Sequence, residues 1–303
     1  MSNAARAEKP TISVVLASQN AVGSVAECLR EIGNQARSHA IEILVVDNSS
    51  DGTQDIIARD FPHVKLFRAP MDKLIPELWG IGFNLSVGDL IAVSTTHFVP
   101  SENWIAEIVK GHDSDCSGIG GAIENDEHSG LVSWAVYFCR YSRYMLPFAR
   151  QNTHDFAADN ASYKRSELDR VKHAMGNGFW EVFVHREMQK ERMSLILTPE
   201  IVVRHQNSFT FSGFISQRFW HGRQFGSTRA ASIAGSKRVA LVLLSPLIPF
   251  VYLFRITGRV FARKRNINNY VMSLPILIPF LTSWSFGEFI GYLRKSESAE
   301  TRK

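Results

Sequence analysis

Cysteine is scarce in this chain, and its placement excludes two kinds of site. Cys28, Cys116 and Cys139 lie far apart and form no CxxC pair, so neither a zinc site nor a disulfide framework is indicated and a reducing cytoplasm fits. The polar opening, Met1 to Pro10, lacks the apolar core that a secretory signal needs. No GxGxxG stands between the first apolar run and the helix-like segment behind it, which removes the main support for a dinucleotide-binding reading. No uncharged apolar run reaches the roughly 20 residues of a straight bilayer span, and there is no internal repeat or low-complexity tract.

What is present is ordinary in amount and uneven in place. Over 303 residues, 45% are hydrophobic and 21% charged, which suits one large folded unit with an appendage. The net charge is +5, but Lys237, Arg238, Arg255, Arg259, Arg263, Lys264 and Arg265 all lie late in the chain. That skew points to an anionic membrane surface or anionic ligand rather than to nucleic acid.

Thr11 to Leu16, Ile41 to Asp47, Val64 to Phe67 and Leu90 to Val93 read as buried strands, with helical spacing at Val25, Leu29 and Ile32, over Asp55 to Arg59 and over Leu74 to Ser86. This alternation predicts an α/β fold with a doubly wound, mostly parallel sheet. Two strands end in polar residues: one at Asp47, before Asn48-Ser49-Ser50-Asp51-Gly52-Thr53, the other in Ser94-Thr95-Thr96-His97. Ligands of such sheets bind in the crevice beyond the carboxyl ends of the strands, so the pair marks the expected active site. Ala17-Ser18-Gln19-Asn20 reads as the loop after the first strand. Beyond Pro100 the pattern predicts a helix over Trp104 to Val109 and strands over Gly118 to Ile123, Asp155 to Tyr163 and Leu195 to Val203. A helix from about Phe179 to Lys190 precedes the last strand, and the aromatic segment Leu131 to Tyr144 is expected to cross to the acceptor side.

Four ordered blocks, Thr11 to Leu16, Val45 to Thr53, Gly88 to Val93 and Asp159 to Arg165, resemble glycosyltransferase family 2 over residues 10 to 210. The resemblance implies a GT-A fold, a nucleotide-sugar donor of UDP type, a divalent metal (Mn²⁺ or Mg²⁺) and inversion at the sugar carbon. Within that span 11–100 is expected to be the nucleotide-sugar half and 101–210 the acceptor and catalytic half; outside it, residue pattern alone predicts a disordered 1–10, a membrane-associated helical region over 211–295 and a polar tail over 296–303. On the donor side it implicates Ala17, Ser18, Asn20, Asp47, Ser49, Thr95 and Thr96. Asp47 matches the family's base-and-ribose acid, although a turn-forming carboxylate is the alternative; Asp51 reads as a cap.

Where the family carries Asp-x-Asp, this chain has Thr95, Thr96 and His97. Hard cations favour carboxylate oxygens, so His97 and a second candidate, His205, are open either to metal ligation or to structural hydrogen bonding. Glu181, beside Trp180, matches the general base, with a helix N-terminal acid as the other reading. Asp159, Asn160, Lys164 and Arg165 are candidates for the diphosphate or an anionic acceptor, the basic pair being alternatively solvated surface charge. Trp79-Gly80 replaces the family's Arg-Asn, and core packing suits Trp79.

Val239 to Phe254 and Val271 to Phe286 are uncharged apolar runs broken by Pro246, Pro249, Pro275 and Pro279 and flanked by basic residues on both sides. Short runs, prolines and basic flanks everywhere predict a re-entrant or interfacial hairpin, led in by an amphipathic Ser212 to Arg229; a soluble helical appendage or oligomer interface is the alternative. The whole predicts a membrane-associated glycosyltransferase of bacterial type at the cytoplasmic face of the inner or plasma membrane, acting on a lipid-linked or polysaccharide acceptor. The competing reading is a catalytically lapsed relative that binds nucleotide-sugar.

Overall fold

A computed structural model of the protein describes residues 10–36, 38–176, 178–206, 209–231 and 233–293. The expected disordered start, Pro10 apart, and the polar tail 296–303 lie outside the described residues. Along the chain run β1 (Ile12–Ser18), α1 (Val25–Gln35), β2 (Ile41–Asp47), α2 (Thr53–Asp60), β3 (Lys65–Arg68), α3 (Ile75–Leu85), β4 (Leu90–Thr95), β5 (Phe98–Pro100), α4 (Trp104–His112) and β6 (Gly118–Asn125). They are followed by α5 (Leu131–Tyr141), β7 (Gln151–Asn152), β8 (Asn160–Lys164), α6 (Arg165–Arg170), α7 (Glu181–Lys190), β9 (Leu195–His205), α8 (Phe211–Ala231), α9 (Gly235–Leu244), α10 (Ile248–Arg263) and α11 (Ile267–Leu293). The chain divides into two compact units, residues 10–126 with 144–206, and residues 127–143 with 209–293.

The first unit is built on one sheet in the order β3-β2-β1-β4-β8-β6-β9-β5, with β7 added on β9. The strands β3, β2, β1 and β4 are mutually parallel, as is the pair β6 and β9, whereas β8, β5 and β7 run antiparallel to their neighbours. Residues of β1 and β4 are buried almost without interruption, as strands covered on both faces must be. On β8 the side chains alternate: Asn160 and Ser162 bond Trp104 and His112 of α4, while Tyr163 bonds His185 of α7. Helices therefore cover both faces.

Two strand boundaries differ from the sequence expectation. Ala17 and Ser18 belong to β1, not to the loop, because pairing with Val46 and Asp47 carries the ladder two residues further. Of Asp155 to Tyr163 only the part from Asn160 onward is strand, where β4 offers a partner. At the amino edge of the sheet, Glu42 accepts from Ser13 Oγ at 2.5 Å, Val87 N–H at 2.6 Å and Lys65 Nζ at 2.7 Å. Burial opposes its charge, but those three donors hold the carboxyl below its usual value.

The second unit is helical. Leu131 to Tyr141 forms a helix of this unit, its ridge of Trp134, Tyr137, Phe138 and Tyr141 lying in aromatic contact, with Phe138 meeting Tyr270 edge-on at 5.2 Å. The helix α8 is not amphipathic; its apolar and charged residues are spread around the axis. It packs instead through Gly222 and Gly226 against α11, which presents Gly287 and Gly291 in return. A Cβ at any of the four would overlap backbone of the opposite helix, the arrangement that lets helix backbones approach closely.

The helical stretches 235–263 and 267–293 are 29 and 27 residues long and apolar enough to cross a membrane by length and composition. Both exceed the 16-residue uncharged runs: 235–263 continues through Lys237, Arg238, Arg255, Arg259 and Arg263, good helix formers, and 267–293 through the polar Ile267–Tyr270 turn and Glu288. Pro246 and Pro249 do mark an interruption, a 3-10 turn over Ser245–Leu247, whereas Pro275 and Pro279 lie inside α11. Several of the basic flanks are helix caps. Arg263 donates to Arg143 O at 2.6 Å and to Ser142 O, closing the end of α5, and Arg238 donates to Leu293 O at 2.9 Å and to Tyr292 O, closing α11.

Candidate active site

The strand order turns back on itself between β1 and β4, the place where an open α/β sheet leaves a crevice. Thr96 stitches the two strand ends together, donating its N–H to Ala17 O at 3.1 Å and its hydroxyl to Ser18 Oγ at 3.0 Å. Ala17, Ser18, Thr95 and Thr96 are all buried; they form the floor, and of the expected donor residues Asn20 and Ser49 reach solvent. Asp47 ends β2 fully buried. Its carboxylate accepts from Ser49 N–H at 2.9 Å, Ser49 Oγ at 2.7 Å and Gln54 Nε2 at 2.6 Å. It is thus the pivot of the loop that follows, a turn chemistry open to Asp at a strand end.

That loop is braced against the one after β1. Asn20, at φ 52° in the left-handed region that Asn tolerates, donates its N–H to Ser49 Oγ at 2.7 Å and accepts Ser50 N–H at 3.0 Å. Asp51 accepts Val22 N–H at 3.0 Å and both Thr53 N–H at 3.1 Å and Thr53 Oγ1 at 2.5 Å. Burial works against the charge, yet the Thr53 hydroxyl and the two amides hold Asp51 below the usual carboxylate range.

His97 follows β4 at the same edge. Its Nε2 lies 3.0 Å from Gln19 O and its Nδ1 3.4 Å from Ser24 Oγ, so both ring nitrogens face protein partners of the first loop. His205 is buried and pairs with Phe98 across β5 and β9, its ring 5.0 Å from the phenyl. Among the described residues no group of three or more His, Cys, Asp or Glu stands close enough to hold a metal ion. With threonines where the family has carboxylates and both nitrogens of His97 engaged, this donor set does not fit a hard divalent cation. His97→Ala should cost about 1 kcal/mol of stability through the lost bonds to the 19–24 loop, and leave any Mn²⁺ activation curve where it is in wild type. A shifted metal requirement would make His97 a ligand.

The four residues expected at the diphosphate or acceptor fall at two ends of one strand. Asp159 precedes and Asn160 opens β8 beside Ser94, whose hydroxyl donates to Asp159 O at 2.6 Å. Asn160 is 1% exposed and fully occupied: Oδ1 accepts Trp104 Nε1 at 2.9 Å, and Nδ2 donates to Ala122 O at 2.8 Å and Ile201 O at 3.0 Å. Lys164 pairs with Leu90 at the opposite end of β4, about 16 Å from Thr95 at the usual strand rise. Lys164 Nζ is bound to Ser114 O at 3.0 Å, and Arg165 to Gly88 O at 2.5 Å and Ser86 Oγ at 2.7 Å. The pair ties the amino edge of the sheet.

Glu181 is half-buried and opens α7. The segment before it is pinned to the start of α3: Phe179 N–H donates to Pro76 O at 2.7 Å, and Gly178, at φ 107°, leaves no room for a side chain against Glu77. Since α3 begins beyond the carboxyl end of β3, Glu181 stands on the crevice side of the sheet. One turn along α7, His185 Nε2 lies 2.8 Å from Tyr163 OH among Phe156 and Phe179. Burial pushes Tyr163 well above its ordinary value, Glu181 adding to the effect, and burial brings His185 down to about 4. Trp79 donates its indole N–H to Ser94 O at 2.6 Å and is buried: it fastens α3 to the end of β4.

Sequence reasoning missed Arg204, which joins Asp126 at 2.8 Å and also Glu27, while Gln206 Nε2 binds Glu27 at 2.6 Å. No local signal connects residues so far apart in the chain.

Across 93% of its length the chain is similar in structure to the mannosyltransferase PcManGT from Pyrobaculum calidifontis, solved with GDP-Man and Mn²⁺, at TM-score 0.51 and 13% identity over 87% of that chain. The fold is thus of the GT-A class. No curated protein matches the sequence. Residues 13–172 match the glycosyl transferase family 2, and the chain belongs to that family, whose members transfer sugars.

Proposed function

We propose that the protein transfers a sugar from a nucleotide-sugar donor, of UDP type, to a lipid-linked or polysaccharide acceptor with inversion. The observation that carries this reading is the gathering of Asp47, Thr95, Thr96, His97 and the 178–181 segment at the carboxyl edge of one sheet. The braced loops 19–24 and 47–53 present the nucleoside side, with Asp47 holding Ser49 and its neighbours in the shape that meets base or ribose. Glu181 takes the proton of the acceptor hydroxyl as its oxygen attacks the anomeric carbon, and the nucleotide diphosphate leaves from the opposite face. Incubating the full chain in detergent with a panel of UDP- and GDP-sugars, and measuring released nucleotide, tests this. Release dependent on an added acceptor supports transfer; nucleotide binding without any release favours the second reading, a lapsed relative, to which the missing carboxylate pair lends weight.

Asp47→Asn keeps the size of a fully buried side chain and part of its hydrogen bonding. It should weaken nucleotide affinity severalfold through the displaced Ser49 loop, and unchanged affinity by calorimetry would remove Asp47 from the donor site.

The two long apolar helices are proposed to hold the protein at the cytoplasmic face of a membrane. Their exposed side chains include Leu243, Leu247, Phe250, Phe254, Phe261 and Met272, more apolar surface than a monomer ordinarily leaves in water. Basic residues at both ends and at the turn around Lys264 favour a re-entrant hairpin. A cysteine placed at Asn266 should then be labelled from the cytoplasmic face; labelling only from outside means that the helices span.

A further inference from the structure

The helical unit contains a guanidinium whose Nε has no acceptor among the described residues. Arg218 lies on α8 with its guanidinium carbon 4.3 Å from the Trp284 ring centroid and 5.5 Å from that of Phe214. Its Nε is buried and meets no hydrogen-bond acceptor among the described residues. The titratable groups acting on it are Cys139, Arg140, Tyr252 and Tyr141, with no carboxylate among them. His221, one turn further along α8, feels both Arg218 and Arg140.

Carboxylates are scarce among the described residues of the unit. Residues 209–293 hold ten Lys and Arg and one acid, Glu288. Glu288 accepts Trp284 Nε1 at 3.0 Å and Tyr292 OH, and stands 4.0 Å from Arg229. The one other acid among the unit's described residues, Glu127, is exposed. A buried guanidinium N–H without an acceptor is costly. The two aromatic rings fix its plane, which leaves its donor edge pre-oriented for a planar, bidentate partner.

We propose that Arg218, flanked by Arg140 and His221, forms a recess for a phosphate oxyanion. Phosphate suits it because its oxygens accept two parallel N–H bonds from the fork and its charge meets those of Arg218 and Arg140, while burial and these two cations bring His221 down to about 4 and leave it a neutral ring. That the phosphate is carried on a lipid rests on the membrane reading above; the oxyanion recess does not. The apolar side chains of α10 and α11 supply the surface such a lipid would share.

The test uses the full chain in a neutral maltoside detergent, with inorganic pyrophosphate as the soluble probe, followed by calorimetry. Vesicles of phosphatidylcholine alone, and of phosphatidylcholine with one-fifth phosphatidic acid, are the membrane probes. Arg218→Gln should lower affinity for at least one phosphate probe about tenfold, the size of a lost charge-assisted contact, and Arg218→Lys severalfold, because the charge remains and the fork is gone. Arg255→Gln, which removes an exposed charge of α10, should change either by less than about threefold. Dependence on Arg218 with phosphatidic acid alone assigns the recess to a lipid headgroup, and dependence with pyrophosphate assigns it to a soluble diphosphate. If wild type binds pyrophosphate through Arg218 but neither vesicle, the membrane reading fails and the recess stands. Wild-type affinity for both probes in Arg218→Gln overturns the proposal; if that variant does not fold, wild-type affinity in Arg218→Lys does so.

Discussion

Glu181→Gln should lower the turnover of sugar transfer by about a hundredfold or more while leaving donor affinity within about twofold of wild type. The amide keeps the size of the side chain and its hydrogen-bonding capacity at the start of α7, but it cannot take a proton from an acceptor hydroxyl. Two readings of Glu181 separate here. If it only complements the helix dipole, the amide costs a few tenths of a kcal/mol in stability and turnover stays near wild type. Rates must be compared under conditions where chemistry limits turnover, at saturating donor and acceptor. A hundredfold fall with an unchanged melting temperature identifies the proton acceptor, and near wild-type turnover identifies a cap.

Asn160→Ala should be the most destabilising single change in the sheet, at about 3–5 kcal/mol. The substitution leaves three buried groups unpaired at once, the Trp104 indole N–H and the carbonyls of Ala122 and Ile201, each costing about 1–3 kcal/mol. Chemical denaturation should show the midpoint falling sharply. A variant as stable as wild type but impaired with acceptor would return Asn160 to the binding role that its place in the sequence suggests.

That contrast shows what a single sequence reveals and what it hides. Strands and helices of the first unit were legible because β1, β2 and β4 are short apolar runs closed by turn residues, and burial imposes that pattern locally. The crevice was legible for the same reason, since two strands ended in polar residues. The partners of those residues were not. Asn160 reads as a polar residue at a strand end, and only the fold brings Trp104, Ala122 and Ile201 around it. Lys164 and Arg165 follow Asn160 by a few positions, yet a strand rises more than 3 Å per residue, enough to carry them to the amino edge of the sheet. In the second unit, apolar runs were counted between charges, whereas α10 runs on through Arg259 and Arg263, whose side chains turn back to Ser142 at the end of α5.

Backbone touching backbone at Gly222, Gly226, Gly287 and Gly291 leaves no gap for water or for a lipid tail to enter, so neither α8 nor α11 can open without the other. Amide hydrogens near 219–226 and 284–291 should exchange with solvent at one common slow rate, as a single cooperative block. The free ends of the two helices can breathe independently; their shared waist cannot.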